Sequence, residues 1–388
     1  MVEAIVKEIF LAVGRFFINP LVYIALLSAI CLGYVRVKRE RKFFHIRILK
    51  GWTEFFSVFR TGFFLSVILS VVTIAAGLVV NMQYLITVSL VTILFLIFFN
   101  YHLLSAVVTF GLSYGILLLM DWQNFSVEVP FFELTGIPFN DASIVPVVLI
   151  IGLLLIVEGI VIHTKGAKLA SPIKEKTNRG LKSIAYFTKS ITIVPVFFLI
   201  PGDVIDGFAP WWPLFTLGNE QFGIVLFPVV IGFQQLTRRM LPIDFYPKMG
   251  KHVWLLGIAV VLAGVGAYYI PLIGLITLGA AIIIRFVLSI GYKLTERKDL
   301  YAVAPNHDGA MIAAVLPGSP AEKMGLQPGE VIKRINGKQV YTEREVYEAL
   351  QINAAHCKLD VLDVQKEIRL TQYVVHSEDH HQIGLIIV

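Results

Sequence analysis

Met311-Ile312-Ala313-Ala314-Val315-Leu316-Pro317-Gly318-Ser319-Pro320-Ala321-Glu322-Lys323-Met324-Gly325-Leu326 holds a complete strand–turn–helix signal. Residues 311–315 read as a short apolar strand. Ser319 followed three residues later by Glu322 forms a capping box, and Pro320 takes the first helical position, where its missing N–H removes no bond. Gly325 then supplies the left-handed cap that ends a helix of one to two turns. Downstream, Gln327-Pro328-Gly329-Glu330 turns the chain into a strand over Val331–Ile335, and Asn336-Gly337 marks a tight hairpin returning through Lys338-Gln339-Val340. Thr342 and Glu345 form a second capping box, opening a helix that runs to about Asn353 with Val346 and Leu350 on one face. Strands are expected at Lys358–Asp363, Glu367–Tyr373 and Ile383–Val388.

Upstream of residue 290 the composition changes character. The whole chain of 388 residues is 56% hydrophobic and 15% charged, with a mean hydropathy of +0.76; soluble chains average roughly 45–50% apolar and about 25% charged. This is the composition of an integral membrane protein. Residues 1–290 carry a net charge of +8 and residues 291–388 a net −2, so the basic character belongs to the loops of an apolar body rather than to a nucleic-acid-binding face. The two cysteines, Cys31 and Cys357, lie far apart and exclude a disulfide scaffold.

A bilayer core needs roughly 20 apolar residues per helix. By that measure spans are expected at about 18–35, 61–80, 84–100, 103–120, 143–163, 184–202, 213–236, 253–270 and 272–290. The predicted architecture is thus a polytopic α-helical membrane bundle of seven to nine spans (18–290), preceded by an amphipathic segment (1–17) or a longer first span, and followed by a small α+β domain (291–388). Arg36–Lys50 and Lys165–Lys189 each carry seven Lys/Arg against one acid, and Arg238, Arg239, Lys248 and Lys251 oppose only Asp244. The loop from Asp121 to Asp141 has four acids and no base. The positive-inside bias puts the basic loops, and with them the C-terminal domain, in the cytoplasm. No basic leader precedes a small-residue cleavage site, and Leu27-Ser28-Ala29-Ile30-Cys31 falls short of a lipoprotein box because Ile30 stands where a small residue is needed.

Ionisable groups inside spans mark candidate functional positions. Glu158 and Arg285 lie at equal depth near the cytoplasmic ends of their spans, which allows an ion pair; Arg285 snorkelling to the headgroups is the alternative. Glu220 either marks a broken helix or sits in an outer loop.

The order strand, Gly-Ser-Pro-Ala helix, Gly-Leu, Pro-Gly-Glu, strand, Asn-Gly and longer helix resembles a PDZ domain of the bacterial type over residues 296–388. That resemblance implies a groove between the longer helix and the strand after a carboxylate-binding loop. By position the loop is Leu300-Tyr301-Ala302-Val303, and Val346 and Leu350 line the pocket. An extended peptide would add a strand to the sheet edge there. Ala302 stands where such loops often carry glycine, which leaves open a terminal peptide, an internal one, or a purely structural role for these residues.

Catalytic chemistry is not expected. A site-2-type zinc protease needs His-Glu-x-x-His, and none of the nine histidines is followed by Glu. His380-His381 reads as solvated surface, no phosphate loop or dinucleotide fingerprint occurs, and no cofactor or metal is implied.

The chain as a whole resembles the MinJ family of division-site determinants of Gram-positive rods. The shared features are its length, a basic first cytoplasmic loop, a catalytically empty bundle and a terminal Gly-Ser-Pro-Ala…Asn-Gly domain. The resemblance implies a non-catalytic scaffold connecting a DivIVA-like polar scaffold to MinD-like partners of the inhibitor of FtsZ assembly, at septa and poles. The alternative is a transporter, or a regulator of membrane proteolysis, with the PDZ domain as peptide sensor.

Overall fold

In the computed structural model, residues 2–129, 132–139, 141–178, 180–207, 212–214, 221–296, 300–353, 356–374 and 383–388 are described. Glu220, Glu378, Asp379 and the His380-His381 pair lie outside them.

The apolar body comprises α1 (Val2–Ile18), α2 (Pro20–Phe44), α3 (Thr53–Arg60), α4 (Gly62–Ala75), α5 (Met82–Ile97), α6 (Ala106–Trp122), a small hairpin β1 (Val127–Val129) and β2 (Phe132–Leu134), and α7 (Asp141–Lys165). Three strands follow, β3 (Ser171–Lys176), β4 (Lys182–Asp206) and β5 (Gln221–Thr237), then α8 (Pro242–Ala267) and α9 (Pro271–Thr295). Five helical segments are long and apolar enough to cross a membrane: Pro20–Phe44, Thr53–Ala75, Ser143–Lys165, Pro242–Ala267 and Pro271–Thr295. Helices α5 and α6 are apolar but shorter.

The helices expected at 184–202 and 213–236 are replaced by strands. β4 and β5 pair antiparallel over a long ribbon, with β3 on the far edge of β4 near its start. The residues account for the strands. Ile191-Thr192-Ile193-Val194 and Val229-Val230-Ile231 are β-branched, and Pro195 and Pro228 interrupt both runs. A proline inside a helix costs about 3 kcal/mol, and an unbroken apolar run does not by its period distinguish a buried strand from a buried helix.

A ribbon among apolar helices has to satisfy its free edges. One face of α4 does this for β4. Ser66 Oγ donates to Pro195 O; Ser70 Oγ accepts from Phe197 N at 3.0 Å, and Thr73 Oγ1 donates to Phe197 O at 2.7 Å. Gly62, one turn earlier, lets the helix approach Ile193 O so closely that a Cβ would collide with it. At the ribbon's far end Val80 N donates to Leu199 O, and on the β5 side Gly232 N donates to Leu104 O. The body's other close seam joins α7 and α8, where Gly152 and Gly159 face Gly257 and Gly250 and each would drive a Cβ into the partner backbone. Small residues at such a seam allow van der Waals packing between apolar helices, where no hydrophobic drive exists in lipid.

The C-terminal domain contains β6 (Ala310–Val315), α10 (Pro320–Lys323), β7 (Val331–Ile335), β8 (Lys338–Gln339), α11 (Glu343–Gln351), β9 (His356–Leu362), β10 (Ile368–Val374) and β11 (Leu385–Ile387). Its sheet runs β10-β9-β7-β6-β11, with β8 beside β7. Local signals appear as expected: the Ser319 and Thr342 hydroxyls accept from Glu322 N and Glu345 N, and Asn336 and Gly337 both have positive φ. Ile312, Ile332, Ile335, Val340, Leu359 and Val361 form its own core.

This domain is docked on the apolar body. Ile184 and Tyr186 of β4 and Leu241 pack with Val303, Ala313, Ala314 and Ile386. Tyr186 OH donates to Ala313 O at 2.7 Å. Arg238 donates to Glu175 at 2.7 and 3.0 Å, and the Arg238 and Arg239 backbone N–H groups both meet Glu296 Oε2. The hydrogen bond it donates to Glu175 holds the Arg238 guanidinium charged beyond its ordinary range.

Candidate functional site

The groove of the C-terminal domain lies between α11 and β11. It is an open cavity of about 470 Å³ whose walls include Val346 and Leu350 from the helix and Leu385, Ile386 and Ile387 from the strand. The spacing of Val346 and Leu350 puts both on the groove face, because residues four apart in a helix lie one above the other. Among the described residues β11 is the last strand of its sheet and pairs only with β6. A strand with one unpaired edge next to an apolar helix face is the geometry that accepts an extended peptide.

Leu300-Tyr301-Ala302-Val303 does not line this groove. The segment is bound to the apolar body: Ile184 N donates to Val303 O, Ala302 N to Arg238 O, and Tyr301 OH to Glu175 at 3.0 Å. Val303 is fully buried there. Burial, with the Glu175 contact second, pushes the Tyr301 phenol above its ordinary range. The loop entering β11 is instead Ile383-Gly384, and Gly384 has φ +86°. A side chain at Gly384 would be strained by that backbone and would also strike Ser319, the cap of α10. The glycine beside the groove is thus Gly384, at the other end of the domain from Ala302. A Gly preceding the final apolar run was its only signal in the sequence.

Sequence reasoning also missed the second wall. Phe44 at the end of α2, His45 and Ile46 just after it, and Lys174 of β3 line the same groove as α11 and β11. The Lys174 ammonium lies 4.9 Å from the Phe44 ring centre. No local pattern announces a wall supplied by two segments so distant in the chain from α11 and β11.

Deep in the body, Arg285 donates to Glu158 Oε1 through Nε at 3.0 Å and Nη2 at 2.7 Å. Both side chains are buried. The other carboxylate oxygen accepts from Ser105 Oγ at 2.7 Å and Ala106 N at 3.0 Å, so Glu158 also caps the start of α6. A carboxylate at a helix N-terminus meets unpaired N–H groups and the positive end of the helix dipole. The site joins α6, α7 and α9, with every oxygen of Glu158 occupied. Among the described residues no group of three His, Cys, Asp or Glu is arranged to hold a metal ion.

Residues 311–362 match the family model for a PDZ domain. A body of apolar helices carrying such a domain defines a PDZ-bearing membrane protein. The cell division topological determinant MinJ of Bacillus subtilis strain 168 is 30% identical over 383 residues, covering 98% of this chain and 95% of that protein. The chain belongs to the MinJ family. A probable cell division topological determinant MinJ of Lacticaseibacillus paracasei is 23% identical over 240 residues, 62% of this chain and 64% of that one. The mitochondrial serine protease HTRA2 of Drosophila ananassae is 36% identical over only 63 residues, 16% of this chain and 15% of the protease. That likeness is to a part, and it carries no protease activity with it.

Proposed function

We propose that this protein is a non-catalytic membrane scaffold for division-site placement, in which the apolar body anchors and the PDZ domain recognises. The observation that carries the reading is the α11–β11 groove, an unpaired strand edge beside an apolar helix face, entered through the Gly384 turn. In this reading an extended peptide adds to β11, its apolar side chain enters between Val346 and Leu350, and loop N–H groups beside Gly384 receive a terminal carboxylate. Lys174 and His45 on the opposite wall favour an acidic or carboxylate-bearing segment. The partners are DivIVA-like and MinD-like proteins, and the protein is enriched at septa and cell poles.

The basic loops face the cytoplasm in this account, and the groove with them. β4 and β5 each cross the membrane as a strand, shielded by α4 and neighbouring segments. The number of crossings between basic loops then stays even, so the orientation read from charge is preserved. The Glu158–Arg285 pair is a structural tie between helices, since both carboxylate oxygens are already engaged.

The test is a pull-down of division proteins from cells with the full chain carrying Leu350→Lys. A charge in the groove abolishes partner capture while membrane insertion is unchanged. Undiminished capture of the same partners rejects the groove as the contact.

A further inference from the structure

A second cavity lies at the basic end of the bundle, between α2, β4 and the turn joining α5 to α6. It measures about 290 Å³, and its charged lining residues are Arg36, Arg39, Glu54 and Lys189. Their states differ. The Arg36 guanidinium is fully engaged, by Glu54, by Glu40 at 2.8 Å, and by the carbonyls of Leu49 and Lys50 at 3.2 and 2.8 Å. Glu40 is itself completed by Ile48 N at 2.8 Å and Ser171 Oγ at 2.9 Å. Those two carboxylates are therefore used up on Arg36 and on neighbouring donors.

Arg39 and Lys189 have no such partner: among the described residues neither makes an ion pair. Their charges rest on aromatic faces instead. Arg39 lies 4.7 Å from the Phe187 ring centre, and Lys189 lies 5.3 Å from that of Tyr101 and 5.5 Å from that of Phe187. The Arg39 Nε and the Tyr101 hydroxyl are both buried without a hydrogen-bond partner among the described residues. A guanidinium, an ammonium and a phenol thus converge on one cavity, where the Arg39 Nε and the Tyr101 hydroxyl meet no acceptor among the described residues. Buried donors are nearly always satisfied, and an arginine fork beside a lysine suits a phosphate.

The mouth of the cavity decides the source of that phosphate. Val35 and Phe99 line it and are themselves more than half exposed, 57% and 52%. They belong to the apolar outer surface of the bundle, where acyl chains lie, rather than to a polar loop. The volume is at the lower end of ligand pockets, enough for a headgroup with its chains left outside. Two unpaired cations favour a headgroup with net negative charge over a zwitterionic one, whose own ammonium they would repel. Basic pockets between membrane helices are known to take anionic headgroups.

We infer that this cavity binds the headgroup phosphate of an anionic phospholipid, with Arg39 and Lys189 as the charged clamp and Tyr101 as a hydroxyl donor. The site lies apart from the PDZ groove and does not depend on the peptide reading.

The experiment uses the full-length protein, stripped of lipid in a neutral detergent. Retained ligand is counted by native mass spectrometry, and thermal unfolding is followed with added phosphatidylglycerol, phosphatidylcholine or inorganic phosphate. One phosphatidylglycerol per chain is expected, with a stabilising shift that neither of the other two reproduces. Arg39→Gln with Lys189→Gln lowers retention at least tenfold, and Lys189→Gln alone lowers it several-fold should the double variant fold poorly. Lys38→Gln with Arg41→Gln, exposed on the same helix, leaves retention unchanged. Equal retention in the clamp variants, equal loss in the control, or equal stabilisation by phosphatidylcholine or inorganic phosphate overturns the proposal.

Discussion

Pro195 and Pro228 stand directly opposite each other across the β4–β5 ribbon. Residues opposed in an antiparallel pair either exchange both ladder bonds or turn their polar groups outward. Pro195 turns its carbonyl outward, to Ser66 of α4. At this register neither missing N–H removes a ladder bond, so the two residues least suited to the interior of a sheet are accommodated in the middle of one.

The edge of that ribbon depends on hydroxyls. Ser70→Ala leaves the Phe197 N–H buried without an acceptor, a loss of about 1–3 kcal/mol. Ser89→Ala, whose hydroxyl donates to Leu85 within its own helix, changes stability far less. Thermal unfolding of the two variants in detergent compares them; equal midpoints would count against a ribbon sealed by α4.

Glu158→Gln strips Arg285 of its charge partner and weakens the cap of α6. Breaking a buried pair from one side costs about 3–5 kcal/mol. The double variant Glu158→Gln with Arg285→Met recovers much of this, because no unpaired cation remains. Protein level and unfolding midpoint read the difference. In dividing cells the double variant, where it inserts, supports normal septum placement, an outcome a transport site at this pair would not permit.

Gly384→Val disturbs the entrance to β11 through its left-handed backbone and the collision with Ser319. Strain of this kind costs about 1–3 kcal/mol, and peptide binding is lost with the loop. Ala302→Gly, by contrast, leaves peptide affinity unchanged, since residues 300–303 are fixed to β4 and Arg238. Titrating a labelled peptide against both variants separates the two candidate loops.

Cys357 is buried, and burial pushes its thiol up to about 11. The raised value means the folded state holds the proton more tightly than the unfolded chain does. Its contribution to stability is therefore complete below the ordinary thiol range near 8.5 and is lost as pH rises through about 11. Alkylation at pH 8 leaves Cys357 unmodified in the folded protein and goes to completion after denaturation; mass mapping of the modified peptide reads this directly.

What the sequence carried plainly were features written in adjacent residues. The Ser319 and Thr342 caps, the Gly325 stop and the Asn336-Gly337 turn are local, and each appears where the residues put it. Apolar runs announced burial but not its geometry: 184–202 and 213–236 satisfy a length test for helices, while β-branching and paired prolines direct them to strands. Equal depth brought Glu158 and Arg285 together as an option, yet the cap on Ser105 and Ala106 is a tertiary contact with no sequence signature. The groove was half readable. Val346 and Leu350 share a helix face by spacing alone, but the strand they face follows Gly384 rather than Val303, and the opposite wall comes from Phe44–Ile46.

The most direct measurement is imaging of a fluorescent fusion in dividing cells, with the full chain and with residues 291–388 removed. Enrichment of the full chain at midcell and poles, with loss of correct septum placement when the terminal domain is absent, is the predicted result. Uniform membrane fluorescence of the intact protein, or unaltered septum placement without the domain, would contradict the account.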